Sequence, residues 1–526
     1  MILLTVLSSA VSTVNVSFAI ATKDFIDSAL ALAQGGGLTV DALLSSGAFL
    51  AGLILLSLIL QAALSRINAR ASFRLDIRIK QLFFNSLLKK DYSKISEYHS
   101  GELMNRLTSD ISVVTGGIIS IIPDSFSTIV RIVVSFIYLF MLDPVLSIAI
   151  VSAGPFILLF GRLYGKRMKR LHKDVQRSDG VTRSFMQEML QNIIVVKSFD
   201  NEDRASKKAA DYQNINYKYK IKRNTLSIIA NIGLFVIFIG GFFAALTLGV
   251  YKLANGIITI GTFNAIIQLV NQLQAPFMNM SGIISQFYST IASSERLIEV
   301  EDIKTESRAE RQNNYDGAAR LVISNVSFSY PAVQVIDNMS LEISKGEFVA
   351  LTGPSGIGKS TLLKLLLAIV TPETGEIYIQ NSDGSKTAIN ENTRDYFSYV
   401  PQGNMIVAGS IADNIKFFND SVSGEFVQKC AETAQMGAFL SELPDGLNTI
   451  LKEGGEGLSQ GQIQRIAIAR ALAYDRPALL LDEATSALDE QTEINLLQSI
   501  RALNKSCIVV SHRKAAVEMC DRECLF

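Results

Sequence analysis

Nine consecutive residues, Gly353-Pro354-Ser355-Gly356-Ile357-Gly358-Lys359-Ser360-Thr361, have the make-up of a loop that cradles phosphate. Glycines let successive backbone N–H groups curl around phosphate oxygens, and a helix opening directly after them adds the positive end of its dipole. The flanks fit: an apolar strand-like run at 347–351 precedes the loop and an apolar helix-like run at 362–369 follows it. In such a loop Lys359 is placed to contact the β- and γ-phosphates, and Ser360 to ligate magnesium. A second run, Ala478-Leu479-Leu480-Leu481-Asp482-Glu483, reads as a buried strand ending in two carboxylates. Asp482 fits the organisation of the metal, and Glu483 the orientation or activation of water. Alone, either run could be an ordinary strand or loop; together they predict a nucleoside triphosphatase.

The chain that must position this chemistry has 526 residues, too many for one typical domain. Its 48% hydrophobic content and mean hydropathy of +0.28 are high for a soluble protein. A helix crosses the hydrocarbon core with about 20 mostly uncharged residues. Uncharged windows occupy 1–22, 42–65, 144–161, 224–251 and 253–294, and a sixth at 125–142 holds one charge, Arg131. Six such windows predict a membrane domain. The stretches 66–106 and 162–223 are rich in Lys and Arg, while the connections at 35–41, 143–144 and 251–256 are short and nearly free of them. The two basic stretches therefore belong in the cytoplasm, which puts Met1 and everything after 295 there too. Both read as helices continuing well past the bilayer, Pro being absent from each. A cleaved signal peptide at 1–22 is disfavoured, since no basic residue precedes the apolar run.

Lys plus Arg and Asp plus Glu number 49 each, so net charge says little about partners, and nothing resembles a nucleic-acid-binding tail. The four cysteines, Cys430, Cys507, Cys520 and Cys524, lack CxxC spacing and read as reduced cytosolic thiols. The predicted fold class is a multi-pass α-helical transmembrane domain of six spans followed by an α/β P-loop domain. Its boundaries are 1–302 for the membrane domain, 303–319 for a polar linker containing Asn313, Asn314 and Gly317, and 320–526 for the nucleotide-binding domain.

Leu458-Ser459-Gln460-Gly461-Gln462, followed by Gln464-Arg465, resembles the signature of the ATP-binding cassette family. More narrowly, nearly the whole chain is similar to exporter half-transporters of that family, with six membrane helices before one nucleotide-binding domain. The resemblance implies further roles. Tyr330 would stack on adenine, Gln402 would link magnesium and water to the membrane domain, and Asp489, in Ser486-Ala487-Leu488-Asp489, would lie on the loop between paired sites. His512 would be the switch histidine. The implied cofactors are ATP and Mg2+. The implied partners are a second half-transporter chain, as homodimer or heterodimer, the lipid bilayer and an unknown transported solute. Within one domain a phosphate loop and a signature cannot close over one nucleotide, so Ser459 of one chain would face the phosphates held by the other. The segments 101–110 and 195–199 look like exporter motifs near the two cytoplasmic turns, with short coupling helices expected at 93–98 and 201–205. The location implied is the cytoplasmic (inner) membrane.

At helical spacing Asp124, Thr128, Arg131, Ser135 and Tyr138 share one face of the third span, and Asn264, Gln268, Asn271, Asn279 and Gln286 one face of the sixth. Polar side chains are costly against lipid, so Arg131, Asn264, Gln268 and Asn271 are candidate cavity residues; interhelical hydrogen bonding is the equal alternative. Gln460 stands where the family's commonest residue is glycine, and Ile463 where a polar one is usual, without a reason visible in the sequence. Against the family pattern, Met1 begins inside a span and Phe526 stops in an expected strand, so the chain reads as a fragment or as having misplaced ends. Export is the leading function class. A regulatory or non-transport ATPase of the membrane is the alternative, and a soluble cassette protein acting on nucleic acid is opposed by the spans.

Overall fold

The computed structural model describes residues 1–34, 40–151, 154–306, 315, 317–330, 333–403 and 406–526. They form two compact units, Met1–Phe84 with Ser100–Glu299, and Asn85–His99 with Val300–Phe526. The first is helical throughout. Its long elements are α1 (Ile2–Ala33), α2 (Val40–Leu87), and α5 (Ile111–Leu142), which continues α4 (Ser100–Asn105) through a π-helical turn at Arg106–Asp110. After these come α6 (Pro144–Val151), α7 (Gly154–Gln191), α9 (Glu202–Ala254) and α10 (Ile260–Glu301). Two short helices lie at the turns between long ones, α3 (Tyr92–Ile95), which belongs to the second unit, and α8 (Ile193–Ser198).

Among the described residues, four stretches are long and apolar enough to cross a membrane: Ile2–Ala33, Val40–Leu87, Ser100–Leu142 and Glu202–Ala254. The expected fourth window, 144–161, contains residues outside the described set, and α10 is diluted by Asn264, Gln268, Asn271, Gln272 and Gln274. The connection at 35–41 falls mostly outside the described residues, as do Asn313 and Asn314 of the linker. With 48 residues, α2 is about 70 Å long, well beyond the bilayer core, as the basic stretch predicts.

One expectation fails. Residues 201–205 form no separate short helix; Asn201 caps the start of α9, and the break lies earlier, at Asp200 with φ +53°. The Val195–Phe199 motif itself lies on α8 and its C-cap.

Buried charges tie the start of α5 and the end of α10 together. Asp110 accepts from Ser293 Oγ at 2.9 Å and from Arg296 Nε at 2.9 Å, and the Arg106 guanidinium reaches Glu102 at 2.6 Å and Glu299 at 3.0 Å. Burial makes such pairs directional, since removing one partner strands a charge. Higher up, a Cβ on Gly117 would lie 2.1 Å from Thr290 Oγ1, so only glycine allows this close approach of the two helices.

The second unit opens with an antiparallel hairpin, β1 (Ala318–Tyr330) and β2 (Val333–Ser344), followed by β3 (Phe348–Thr352) and α11 (Lys359–Leu366). Next come β4 (Thr374–Asn381), β5 (Lys386–Ala388), β6 (Phe397–Val400) and β7 (Gly409–Ser410). The helices α12 (Ile411–Lys416), α13 (Gly424–Thr433) and α14 (Gly437–Glu442) precede β8 (Ile450–Leu451) and α15 (Gln460–Ala473). The chain continues through β9 (Ala478–Asp482), α16 (Glu490–Arg501), β10 (Ser506–Val510), α17 (Lys514–Glu518) and β11 (Arg522–Leu525). A parallel sheet runs β11-β3-β10-β9-β6, and an antiparallel sheet β2-β1-β4-β5.

The parallel strands are apolar on both faces because both are covered. Leu479, Leu481, Cys507 and Val509 pack toward the helical layer with α13, α15 and α16, while Leu480, Ile508, Val510 and Leu351 pack toward α11 and the antiparallel sheet. Period-2 alternation thus builds two cores from one set of strands. Ile463, unexplained in the sequence, is 4% exposed and belongs to the helical-layer core with Ile406 and Leu451. All four cysteines are free, and burial pushes the Cys430 thiol up to about 11.

Candidate functional site

The phosphate-type loop joins the C-terminal end of β3 to the N-terminus of α11, so that adjacent strands β9 and β10 deliver their own C-terminal residues beside it. Gly358 has φ +122°, and a Cβ there would lie 2.9 Å from Val335 O. Glycine is therefore required on both conformational and steric grounds. Lys359 is 5% exposed; its Nζ donates to Gly353 O at 2.6 Å and Pro354 O at 2.9 Å and lies 3.2 Å from His512 Nε2. His512 follows β10, so the parallel register is what brings it to the lysine.

Asp482 ends β9 and is 1% exposed. Ser360 Oγ donates to its Oδ1 at 2.9 Å, and Tyr399 of β6 donates to its Oδ2 at 3.2 Å. Burial raises the Asp482 carboxyl above its usual range, partly countered by these two hydroxyls. The Tyr399 phenol is itself held protonated by burial and by the Asp482 charge. A buried carboxylate beside a serine hydroxyl, all oxygen donors, suits a hard cation such as magnesium shared with phosphate oxygens. Among the described residues there is no cluster of three or more His, Cys, Asp or Glu that could hold a metal ion.

Glu483 takes the left-handed conformation, φ +51°, which turns its side chain out of the strand. Gln402 Nε2 donates to its Oε2 at 2.7 Å, and His512 Nε2 stands 3.9 Å from its Oε1. Gln402 thus meets Glu483 rather than the Ser360–Asp482 pair. Tyr330 ends β1, 38% exposed, with its ring edge-on to Phe328 at 5.0 Å.

The signature is a helix start. Ser459 caps α15, accepting from Gln462 N at 3.3 Å, while Gln462 Oε1 accepts from Ser459 N at 2.8 Å. A Cβ on Gly461 would come 2.9 Å from Ala487 O, so this glycine lets the 486–489 loop pass close by. Asp489 caps α16 through Thr492 N at 2.9 Å, and that bond, strengthened by the Thr492 side chain, holds its carboxyl below the usual range.

Several contacts escaped the sequence reading. Gln464 is 6% exposed; it donates to Ser486 Oγ at 3.0 Å and accepts from Ala487 N at 3.0 Å, latching the loop to α15. Glu493, fully buried, accepts from Thr485 at 2.6 Å and Arg513 at 3.1 Å, tying the segment after Glu483 to the one after His512. Its position directly after the signature, in Gln464-Arg465, was the available signal for Gln464.

In the membrane-type unit, Gln268 donates to Asn264 at 2.5 Å, and Asn271 is exposed. Arg131 is half-buried on α5. The side chain of Asn279 lies outside the described residues. The unforeseen polar contacts run instead through Gln272, which donates to Asn15 O at 3.0 Å, and Ser57, which donates to Asn15 Oδ1 at 3.1 Å. Asn15 and Ser57 line a cavity of about 240 Å³ with Val14, Phe18, Leu53, Ile54 and Leu58.

Comparison with known proteins matches residues 1–277 to the family "ABC transporter transmembrane region" and residues 336–486 to "ABC transporter". The chain is 31% identical over 466 residues to an ATP-dependent lipid A-core flippase of Shewanella denitrificans, covering 86% of this chain and 76% of that one. It is 28% identical over 455 residues to the flippase of the same name from Vibrio vulnificus, covering 85% and 77%. An ABC transporter B family member 1 of Dictyostelium discoideum is 30% identical over 452 residues; these cover 84% of this chain but span only 49% of that relative. In fold, the chain resembles a bacterial Atm1-family ABC exporter solved with ATP bound, with TM-score 0.83 and 24% identity over 100% of this chain and 92% of that one. With a membrane region and an ATPase domain of the same family matched in one polypeptide, the chain belongs to the ABC transporter family, in the exporter arrangement of a half-transporter.

Proposed function

We propose that this chain is an ATP-driven exporter half-transporter, working as a dimer in the cytoplasmic membrane and moving an amphipathic solute by alternating access. The observation that carries the reading is the convergence of Gln402, Glu483 and His512 beside Lys359 and Asp482. Residues 1–302 would form the membrane domain, 303–319 the linker and 320–526 the ATPase domain.

Lys359 would exchange its loop carbonyls for β- and γ-phosphate oxygens, with Tyr330 against the adenine. Ser360 and Asp482 would hold magnesium, with Gln402 near them; the ion supplies charge neutralisation at the phosphates. Glu483 would orient and deprotonate the attacking water, aimed by Gln402 on one oxygen. His512 would contact the γ-phosphate. Ser459, Gly461 and the start of α15 would face the nucleotide of the second chain, and Asp489 would lie between the two sites. Binding two ATP molecules only to the closed pair is what shifts the membrane helices between their openings.

The dimer also accounts for α2, whose most apolar window has no buried residue within this chain. A homodimer is the simplest assembly, since one chain carries both half-sites. For cargo, the bacterial relatives named as lipid A-core flippases make a lipid-like amphiphile the first class to try, ahead of drugs and peptides. The test is reconstitution into vesicles with a panel of fluorescent lipids and hydrophobic dyes. Magnesium-dependent turnover with nucleotide-dependent solute movement supports export; turnover with no movement across the panel favours a non-transport role.

A further inference from the structure

The first cytoplasmic turn and the start of the linker are stitched together inside the nucleotide-binding unit. Lys90 and Thr305 form an antiparallel bridge, closed by Asp91 N to Lys304 O at 2.9 Å and Glu306 N to Lys89 O at 2.8 Å. Ser86 donates to the Glu301 carboxylate at 2.9 Å, and the nearly buried Lys90 donates to Glu301 O at 2.5 Å. The end of α2 and the end of α10 are thereby fastened at one place.

Arg394 carries that fastening to the phosphate loop. Its Nη1 and Nη2 form a two-pronged contact with Glu306 at 2.6 and 2.8 Å. On its other side, Nε donates to Leu367 O at 2.7 Å and Nη2 to Ala368 O at 2.7 Å. These carbonyls lie at the C-terminal end of α11, where helix carbonyls lack partners and a cation is favoured. The opposite end of α11 begins at Lys359. The helix is two turns long, about 12 Å, too short to absorb a shift by bending.

We infer that Arg394 and Glu306 are positioning residues that transmit nucleotide occupancy from α11 to the joined ends of α2 and α10. The inference rests on the nucleotide reading of the 353–361 loop. A planar guanidinium suits the task because its fork fixes direction as well as distance. Capping α11 uses the carbonyl contacts, whereas the contacts with Glu306 run to the bridge between 89–91 and 304–306.

Amide hydrogen exchange on the full chain in nanodiscs separates the two roles, with the non-hydrolysable analogue adenylyl imidodiphosphate plus magnesium as probe. In the wild-type chain, nucleotide is expected to slow exchange at both 353–367 and 86–95. Glu306→Gln, which leaves the α11 cap intact, is expected to keep the first response and lose the second while retaining ATP turnover. Arg394→Lys, which keeps a cation at the helix end without the fork, should give the same split and guards against misfolding of a single variant. A wild-type response at 86–95 in Glu306→Gln overturns the inference, as does a wild-type chain whose 86–95 segment ignores nucleotide. No slowing at 353–367 would remove the nucleotide reading, and this inference with it.

Discussion

Gln402 grips one oxygen of Glu483 at 2.7 Å, and the other oxygen stands 3.9 Å from His512. The contact orients the carboxylate without neutralising it. With Glu483 as the proposed base, replacing it by Gln keeps the shape and removes the proton acceptor, so steady-state turnover should fall by about 10²–10⁴-fold while ATP binding persists. Phosphate release and equilibrium nucleotide binding, measured on the same preparation, check both halves.

Gln464→Ala should act on the same centre from behind. It removes the acceptor of the Ala487 N–H and the donor to Ser486, part-buried hydrogen bonds whose net worth is about 0.5–1.5 kcal/mol each. Turnover should drop more than thermal stability alone explains, because the loop after Glu483 loses its latch. Denaturant melts alongside initial rates would show it; unchanged turnover would count against the latch.

Gly461→Ala tests the close approach directly. The new methyl would press on Ala487 O, and overpacking of this kind costs about 1–3 kcal/mol. The prediction is impaired turnover with Ser459 and its cap chemically intact. A variant with wild-type rates would mean that the loop moves aside freely.

The pH dependence of stability should carry a contribution from Asp521. Its carboxylate accepts from Phe348 N at 2.9 Å and pairs with Arg501, and these contacts hold it below the usual carboxylate range. A lowered native value stabilises above the unfolded value, about 4, and that stabilisation is lost as pH falls through the native value. Asp521→Asn should therefore lose stability near neutrality and flatten the acid limb. Urea midpoints from pH 3 to pH 7, spanning roughly the carboxylate range, would measure the slope.

Much of the site was legible because its residues sit at fixed offsets from strands that read as strands. Lys359, Asp482, Glu483 and His512 each follow a run of four or five apolar residues, and parallel pairing of β3, β10 and β9 then makes them neighbours. The rest depended on long-range partners. Ile463 has no local reason to be apolar; its place is set by the helical-layer core, to which separate elements contribute. Gln464 was visible directly after the signature, but not what it holds. Nothing local marks Arg394 as different from any arginine in a polar turn, since its acceptors lie at 306, 367 and 368. The second short helix was misplaced because left-handed Asp200, not a glycine or proline, sets the break before α9.

The bridge between 89–91 and 304–306 has a consequence for how the protein is made. Ser86 and Glu301, which meet there, are 215 residues apart in the chain. At about 5–20 residues per second, a ribosome needs roughly 10–40 s to supply the second strand after the first. For that interval each nascent chain displays a finished first turn with no docking segment yet in existence, a window in which a membrane chaperone or a neighbouring copy could occupy it.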